Sequence, residues 1–322
     1  MRRAIAALGT GVILALVLIG SRNQPGVEDP PGPGKLPQAI GAIHPRLSPD
    51  GASVVFSYQG GIWVTPRGGG TMTLLSTGEG DDSEPAWSPD GKRIVFVRDA
   101  AVKLVETSGG KDVPLPKTLL TAGTYGVNKL EFSADGRQLL GTFRTDGKDH
   151  GLAWFDLATG AVQPLAPVSY YSRFALSPDG KWIAHTAPPD QPAEQTGNDG
   201  SHTEVWKMPA SALGRGLETT PQREKVCRFP ARIHDLCWAD GGRSLIVAAE
   251  LGQAHDDLWK LPLDDPTSPS RGMSKLTSGQ ADEDRPSASR DGRWLAYTDN
   301  RDGPTALVLR DTIRPRELAR LV

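Results

Sequence analysis

The chain has little cysteine, few aromatics and no bias of charge. Two cysteines in 322 residues, Cys227 and Cys237, cannot make a disulfide-stapled scaffold. Their spacing matches no zinc-ligand pattern. One ends a strand-like run (KVCRF) and the other lies within the next (DLCWA), so two packed free thiols are expected. The 36 basic and 38 acidic residues leave a net charge of -2, which builds no basic face for nucleic acid. Enzyme signatures are missing as well: there is no G-x-S-x-G, H-E-x-x-H, P-loop or Cys-x-x-Cys. Long apolar runs are absent with one exception, Ala4–Gly20 (AIAALGTGVILALVLIG). A basic MRR precedes it and the Pro/Gly-rich SRNQPGVEDPPGPGK follows it. This layout predicts a signal peptide or short membrane anchor over residues 1–20, then a stiff linker over 21–35. It places the protein in the periplasm or outside the cell, with membrane contact only through that N-terminal segment.

Glycine (37) and proline (27) are abundant, and they sit at fixed offsets from apolar runs, which marks turns between short strands. The stretch EPAWSPDGKRIVF has near-copies in HPRLSPDGASVVF, RFALSPDGKWIAH and RPSASRDGRWLAY. Aligned on the turn glycine, six units appear, at Gly51, Gly91, Gly136, Gly180, Gly242 and Gly292. A period of this size belongs to a propeller or solenoid.

The columns of this alignment predict the architecture. Four positions before the glycine stand Leu47, Trp87, Phe132, Leu176, Trp238 and Ala288. Three after it stand Val54, Ile94, Leu139, Ile183, Leu245 and Leu295. The tracts around them are short and β-branched or aromatic, which is strand chemistry. SPDG suits a tight turn: Pro presets φ, Asp bonds locally and Gly takes positive φ. A third strand follows in every unit (GIWVTP, AVKLVET, GLAWFDL, TEVWKMP, DDLWKLPL, TALVLRD), and a fourth in most. Four antiparallel strands cannot bury both faces alone, so the units must stack in a circle. Residues 36–322 are therefore predicted to be all-β, a six-bladed β-propeller of four-stranded antiparallel blades. Either LPQAI or RELARLV supplies the outer strand of the last blade.

The repeat resembles the WD40-like repeat of the TolB propeller family. PAWSPDGKRIVF followed by LSTG, and LTSG with RPSASRDGRWLAYTDNRDG, carry the likeness. Blades three (FSADG) and five (WADGG) are degenerate. The resemblance implies the propeller alone, because no room exists between the leader and blade one for the α/β domain that precedes it in TolB. Similar repeats occur in propellers joined to serine peptidases and in some lyases.

One column carries chemistry. Seven residues before each turn glycine stand His44, Glu84, Lys129, Arg173, Asp235 and Arg285, all ionisable. They begin the innermost strands, so they are expected to gather around one end of the central channel. Adjacent charges are expected to pair there, Glu84 with Lys129 and Arg173 or Arg285 with Asp235. The same ring is also a mixed-sign socket for a peptide segment or a partner's loop. His44 and His234 are the histidines able to approach the axis, and His185 occupies a packed strand-two column. TDGKDH is read as a hairpin turn, and Pro188–His202 as a polar loop. The expected function is an exported, non-enzymatic scaffold binding an envelope protein or peptide, with no metal or cofactor. The alternative is an enzyme acting on a small polar or sugar substrate through axial residues, a metal-assisted lyase or hydrolase.

Overall fold

The computed structural model describes residues 43–321 except 77, 100, 118–128, 145–149, 169–171, 188–201, 212–222, 253–254, 264–271, 279, 302–304 and 314–315. The leader and linker, the polar loop and the tip of the TDGKDH hairpin lie outside these residues. Among the described residues no helix is long and apolar enough to cross a membrane.

Six antiparallel sheets follow one another along the chain. Blade one pairs Ile43–Leu47, Ser53–Tyr58, Gly61–Pro66 and Thr73–Leu74; blade two pairs Asp82–Trp87, Arg93–Arg98 and Ala101–Glu106. Blade three holds Leu130–Phe132, Gln138–Arg144, His150–Asp156 and Val162–Pro167; blade four holds Phe174–Leu176, Trp182–Ala187, Thr203–Pro209 and Glu224–Phe229. Blade five holds Ile233–Ala239, Ser244–Ala249, Asp257–Pro262 and Ser274–Lys275, and blade six Glu283–Ala288, Trp294–Asp299, Ala306–Asp311 and Arg316–Leu321. The last of these, RELARL, is the outer strand of blade six. In blade two the fourth strand shrinks to a bridge between Val105 and Asp112. Pro114 and Pro116 follow at once, and proline cannot donate to a ladder.

The core is divided among the blade junctions. Among the described residues six hydrophobic clusters occur, and each joins two neighbouring blades, one of them joining blade six to blade one. The column Val54, Ile94, Leu139, Ile183, Leu245 and Leu295 is at most 1% exposed. Each such side chain contributes about 1.5–3 kcal/mol of burial, so the junctions hold the ring together.

The turns are built alike. In blade one Ser48 Oγ donates to Asp50 Oδ1 and accepts from Ser53 N, while Asp50 Oδ1 also accepts from Ala52 N. The Ser–Asp hydrogen bond recurs at Ser88–Asp90, Ser133–Asp135, Ser177–Asp179 and Ser289–Asp291. It holds all five carboxyls below the usual range. Blade five, with Ala239 in place of the serine, replaces the turn by a short helical turn at Asp240–Gly242.

Candidate functional site: hub and channel

The innermost strands carry both ends of the channel. Seven residues before the turn glycine, the backbone does something unusual in three blades. His44, Glu84 and Arg285 have φ of +55°, +51° and +58°, each at a break in the register of its strand. Each precedes a proline (Pro45, Pro85, Pro286), whose ring bars the ordinary helical region to its neighbour. A left-handed non-glycine residue costs roughly 1–2 kcal/mol. Bulges of this kind re-aim side chains, and here they turn three side chains of blades six, one and two toward one another.

These three form one network. Arg285 Nη1 donates to Glu84 Oε1 at 2.8 Å. His44 Nε2 lies 3.1 Å from the same oxygen, and Arg46 lies 3.7 Å from Glu84 Oε2. Glu84 N donates to His44 Nδ1, so the ring proton sits on Nε2 and the imidazole is neutral. Burial pushes His44 down to about 4, against the pull of Glu84 and with the help of Arg285 and Arg46.

The second network spans blades three and five. Lys129 Nζ donates to Asp235 Oδ1 at 3.2 Å and to the Leu236 carbonyl at 3.0 Å, and Glu131 lies 3.5 Å away. Burial raises the Asp235 carboxyl, but Lys129 first, then Arg46, Arg285 and the Leu236 N–H, outweigh it and bring it to about 2. Arg173 joins neither network; its Nε donates to the His234 carbonyl.

Five of the six predicted ring residues thus fall into two networks and Arg173 into neither, and the pairs differ from the neighbour-to-neighbour scheme. Glu84 meets His44 and Arg285, not Lys129; Asp235 meets Lys129, and no hydrogen bond links it to Arg173 or Arg285. Side chains aimed at an axis reach across it more easily than around it. Nor are they open to water: His44, Glu84, Lys129 and Asp235 are 8%, 7%, 4% and 1% exposed, and only Arg173 and Arg285 are half-buried.

Beyond the hub an acidic patch lies on blades five and six. Asp256 lies 3.7 Å from His234, and burial with Asp284, Asp282 and Glu250 pushes its carboxyl up to about 7. Among the described residues no three His, Cys, Asp or Glu side chains stand where they could hold a metal. His185 is a packed residue, 2% exposed and lowered to about 4 by burial. Both cysteines are free.

Toward the turn face the channel widens into a cavity of about 210 Å³. Its wall is the column Leu47, Trp87, Phe132, Leu176, Trp238 and Ala288, with Pro49, Pro89, Pro178 and Arg290 at the rim and Lys129 and Arg46 on the floor. The indoles are tied back: Trp87 Nε1 donates to the Arg46 carbonyl and Trp238 Nε1 to that of Ala175. Sequence reasoning found this column as strand-end apolar residues and missed that it lines a cavity. The signal was present, since a strand end next to a shared axis has only the channel to face.

A ring of six sheets defines a β-propeller, and its fold is similar to that of solved TolB structures. TolB from Acinetobacter baumannii superposes with a TM-score of 0.58 at 17% identity, over 84% of this chain and 60% of that one. An oligogalacturonate lyase in complex with manganese gives 0.56 at 12% identity, over 84% of this chain and 89% of the lyase. In sequence, YuxL of Bacillus subtilis (strain 168), named as an uncharacterized peptidase, is 25% identical over 46% of this chain. The match spans 30% of YuxL's own length. No family model matches the sequence.

Proposed function

We propose that this chain is an exported, non-enzymatic β-propeller that captures an envelope protein or peptide segment, working in the periplasm or outside the cell. The observation that carries this reading is the state of the hub. Apart from Arg173, its ionisable groups pair with one another at one end of the channel, while the other end is a cavity with an apolar column in its wall. Such an axis offers walls for a partner rather than groups poised for proton transfer. His44, Glu84, Lys129, Arg173, Asp235 and Arg285 set the closed end and fix the shape of the open one. The shared fold with TolB and the leader-like N-terminus point the same way.

A second reading, a metal-assisted lyase or hydrolase, draws on the manganese-bound lyase and on the His234–Asp256 pair. Two measurements separate them. Photo-crosslinkers placed at exposed positions on several surfaces (Leu74, Arg137, Lys181, Glu250, Ile313) in intact cells should yield a discrete protein adduct from at least one surface. Elemental analysis of the purified chain should show no stoichiometric metal. Stoichiometric manganese, zinc or calcium, with no adduct from any position, would overturn the scaffold reading.

A further inference from the structure

The cavity at the turn face has a composition that selects an occupant. Its volume, about 210 Å³, is below the 300–1,000 Å³ typical of sites for whole small ligands, so it suits one or two side chains inserted from outside. The wall is apolar, with Trp87 and Trp238 held rigid by their indole hydrogen bonds. A rigid aromatic wall takes an apolar side chain at little entropic cost. The charges on its floor are already answered: Lys129 by Asp235, and Arg46 by Glu84. Glu131 is engaged as well, accepting from Leu176 N.

The rim differs. Four of the six turns carry Ser-Pro-Asp or Ser-Ala-Asp at this point, and blade six carries Ser289-Arg290-Asp291. Arg290 lines the cavity, is exposed, and has no hydrogen bond or ion pair among the described residues. The turn itself does not need it, because Ser289 and Asp291 make the same hydrogen bonds as in the other blades.

We propose that this cavity binds an inserted peptide segment with an apolar side chain, aromatic or branched, in the cavity and an acidic residue within about three positions of it paired with Arg290. The inference rests on the scaffold reading and names the partner's chemistry. The three-residue limit is set by the reach of an extended chain, about 3.3 Å per residue and so roughly 10 Å over three residues, because both anchors must fall on residues lining one cavity. A guanidinium–carboxylate pair at a half-open rim is salt-sensitive and orients its partner.

The test is selection of a displayed random heptapeptide library on the purified full chain and on two variants. Arg290→Pro restores the turn residue of blades one, two and four. Ala288→Trp puts into blade six the side chain that blades two and five already carry there, and fills the cavity. Both substitutions copy the repeat, and thermal melts confirm folding. The expected result is enrichment of sequences pairing an apolar residue with Asp or Glu within three positions. Binding of a selected peptide, read by anisotropy, should weaken about tenfold on Arg290→Pro and be lost on Ala288→Trp. Its Asn or Gln analogue should bind both wild type and Arg290→Pro at that weakened level. No enrichment, enrichment without acidic residues, or equal binding to Ala288→Trp would each overturn the inference. An adduct from a different surface in the crosslinking experiment would leave the scaffold reading standing while this cavity assignment fell.

Discussion

Replacing Lys129 by methionine tests the hub directly. The side chain is 4% exposed and its ammonium lies 3.2 Å from Asp235, itself 1% exposed. Removing one member of a buried pair strands the other and costs about 3–5 kcal/mol. The pH dependence gives an independent reading. The Asp235 carboxyl is held at about 2, against 3.8 for an unperturbed aspartate, a difference worth on the order of 2 kcal/mol. Because the folded-state value is the lower one, that stability is present above about pH 4 and is lost as pH falls toward 2. In Lys129→Met the largest opposing charge is gone, so burial carries the carboxyl up from about 2 toward its ordinary value. The loss of stability on acidification should then be smaller than in the wild type and begin at higher pH. Urea unfolding followed by tryptophan fluorescence from pH 3 to 7, with Asp235→Asn as reference, measures both effects. Lys129→Met/Asp235→Asn should recover at least half of the loss. A single variant that loses less than about 1 kcal/mol and keeps the wild-type pH slope would refute the argument that this pair is an obligatory brace.

Other outcomes follow from the same geometry. His44 is lowered from 6.5 to about 4 by burial, so it contributes about 3 kcal/mol of stability that is full above pH 6.5 and lost as pH falls to 4; His44→Asn should flatten the stability profile across that window in a pH series of melts. Gly91 and Gly292 share φ near +70°, but a Cβ on Gly91 meets nothing within 4 Å, whereas one on Gly292 falls 2.8 Å from Asp240 N and Cα. Gly91→Ala should therefore cost only about 1 kcal/mol of backbone strain, and Gly292→Ala at least twice that, by urea midpoint. Burial pushes the Cys227 thiol up to about 11, so it should not react with a disulfide reagent at pH 8 until the chain is unfolded, whereas Cys237, half-buried and lining the cavity, should react slowly in the folded chain because its thiol is pushed up to about 12.

The fold was legible because its signals are local and repeated. Strand one ending at Trp87 and strand two beginning at Arg93 follow from a turn whose chemistry is complete within six residues. The serine of that turn escaped notice, though it supplies two of its hydrogen bonds. Blade two's stunted outer strand was written in Pro114 and Pro116. The hub was legible only in part. A column of six ionisable residues announced a charged hub, in which five of them pair, and the prolines after His44, Glu84 and Arg285 coincide with the three that bulge. The partners could not be read: Lys129 and Asp235 are 106 residues apart. Nothing in the spacing distinguishes a neighbouring blade from one across the axis.

Each sheet, including that of blade six, is drawn from one continuous stretch of chain among the described strands. Among the described residues no backbone ladder bridges the seam where the circle shuts. Leu47 N donates to Ser287 Oγ there, Arg285 reaches over to Glu84, and Leu47, Val54 and Phe56 pack on Ala296, Leu307 and Leu309. Among the described residues the circle is latched by contacts that each involve a side chain. Mechanical or thermal opening at that latch would leave all six ladders intact, a clasp undone with every bead still whole.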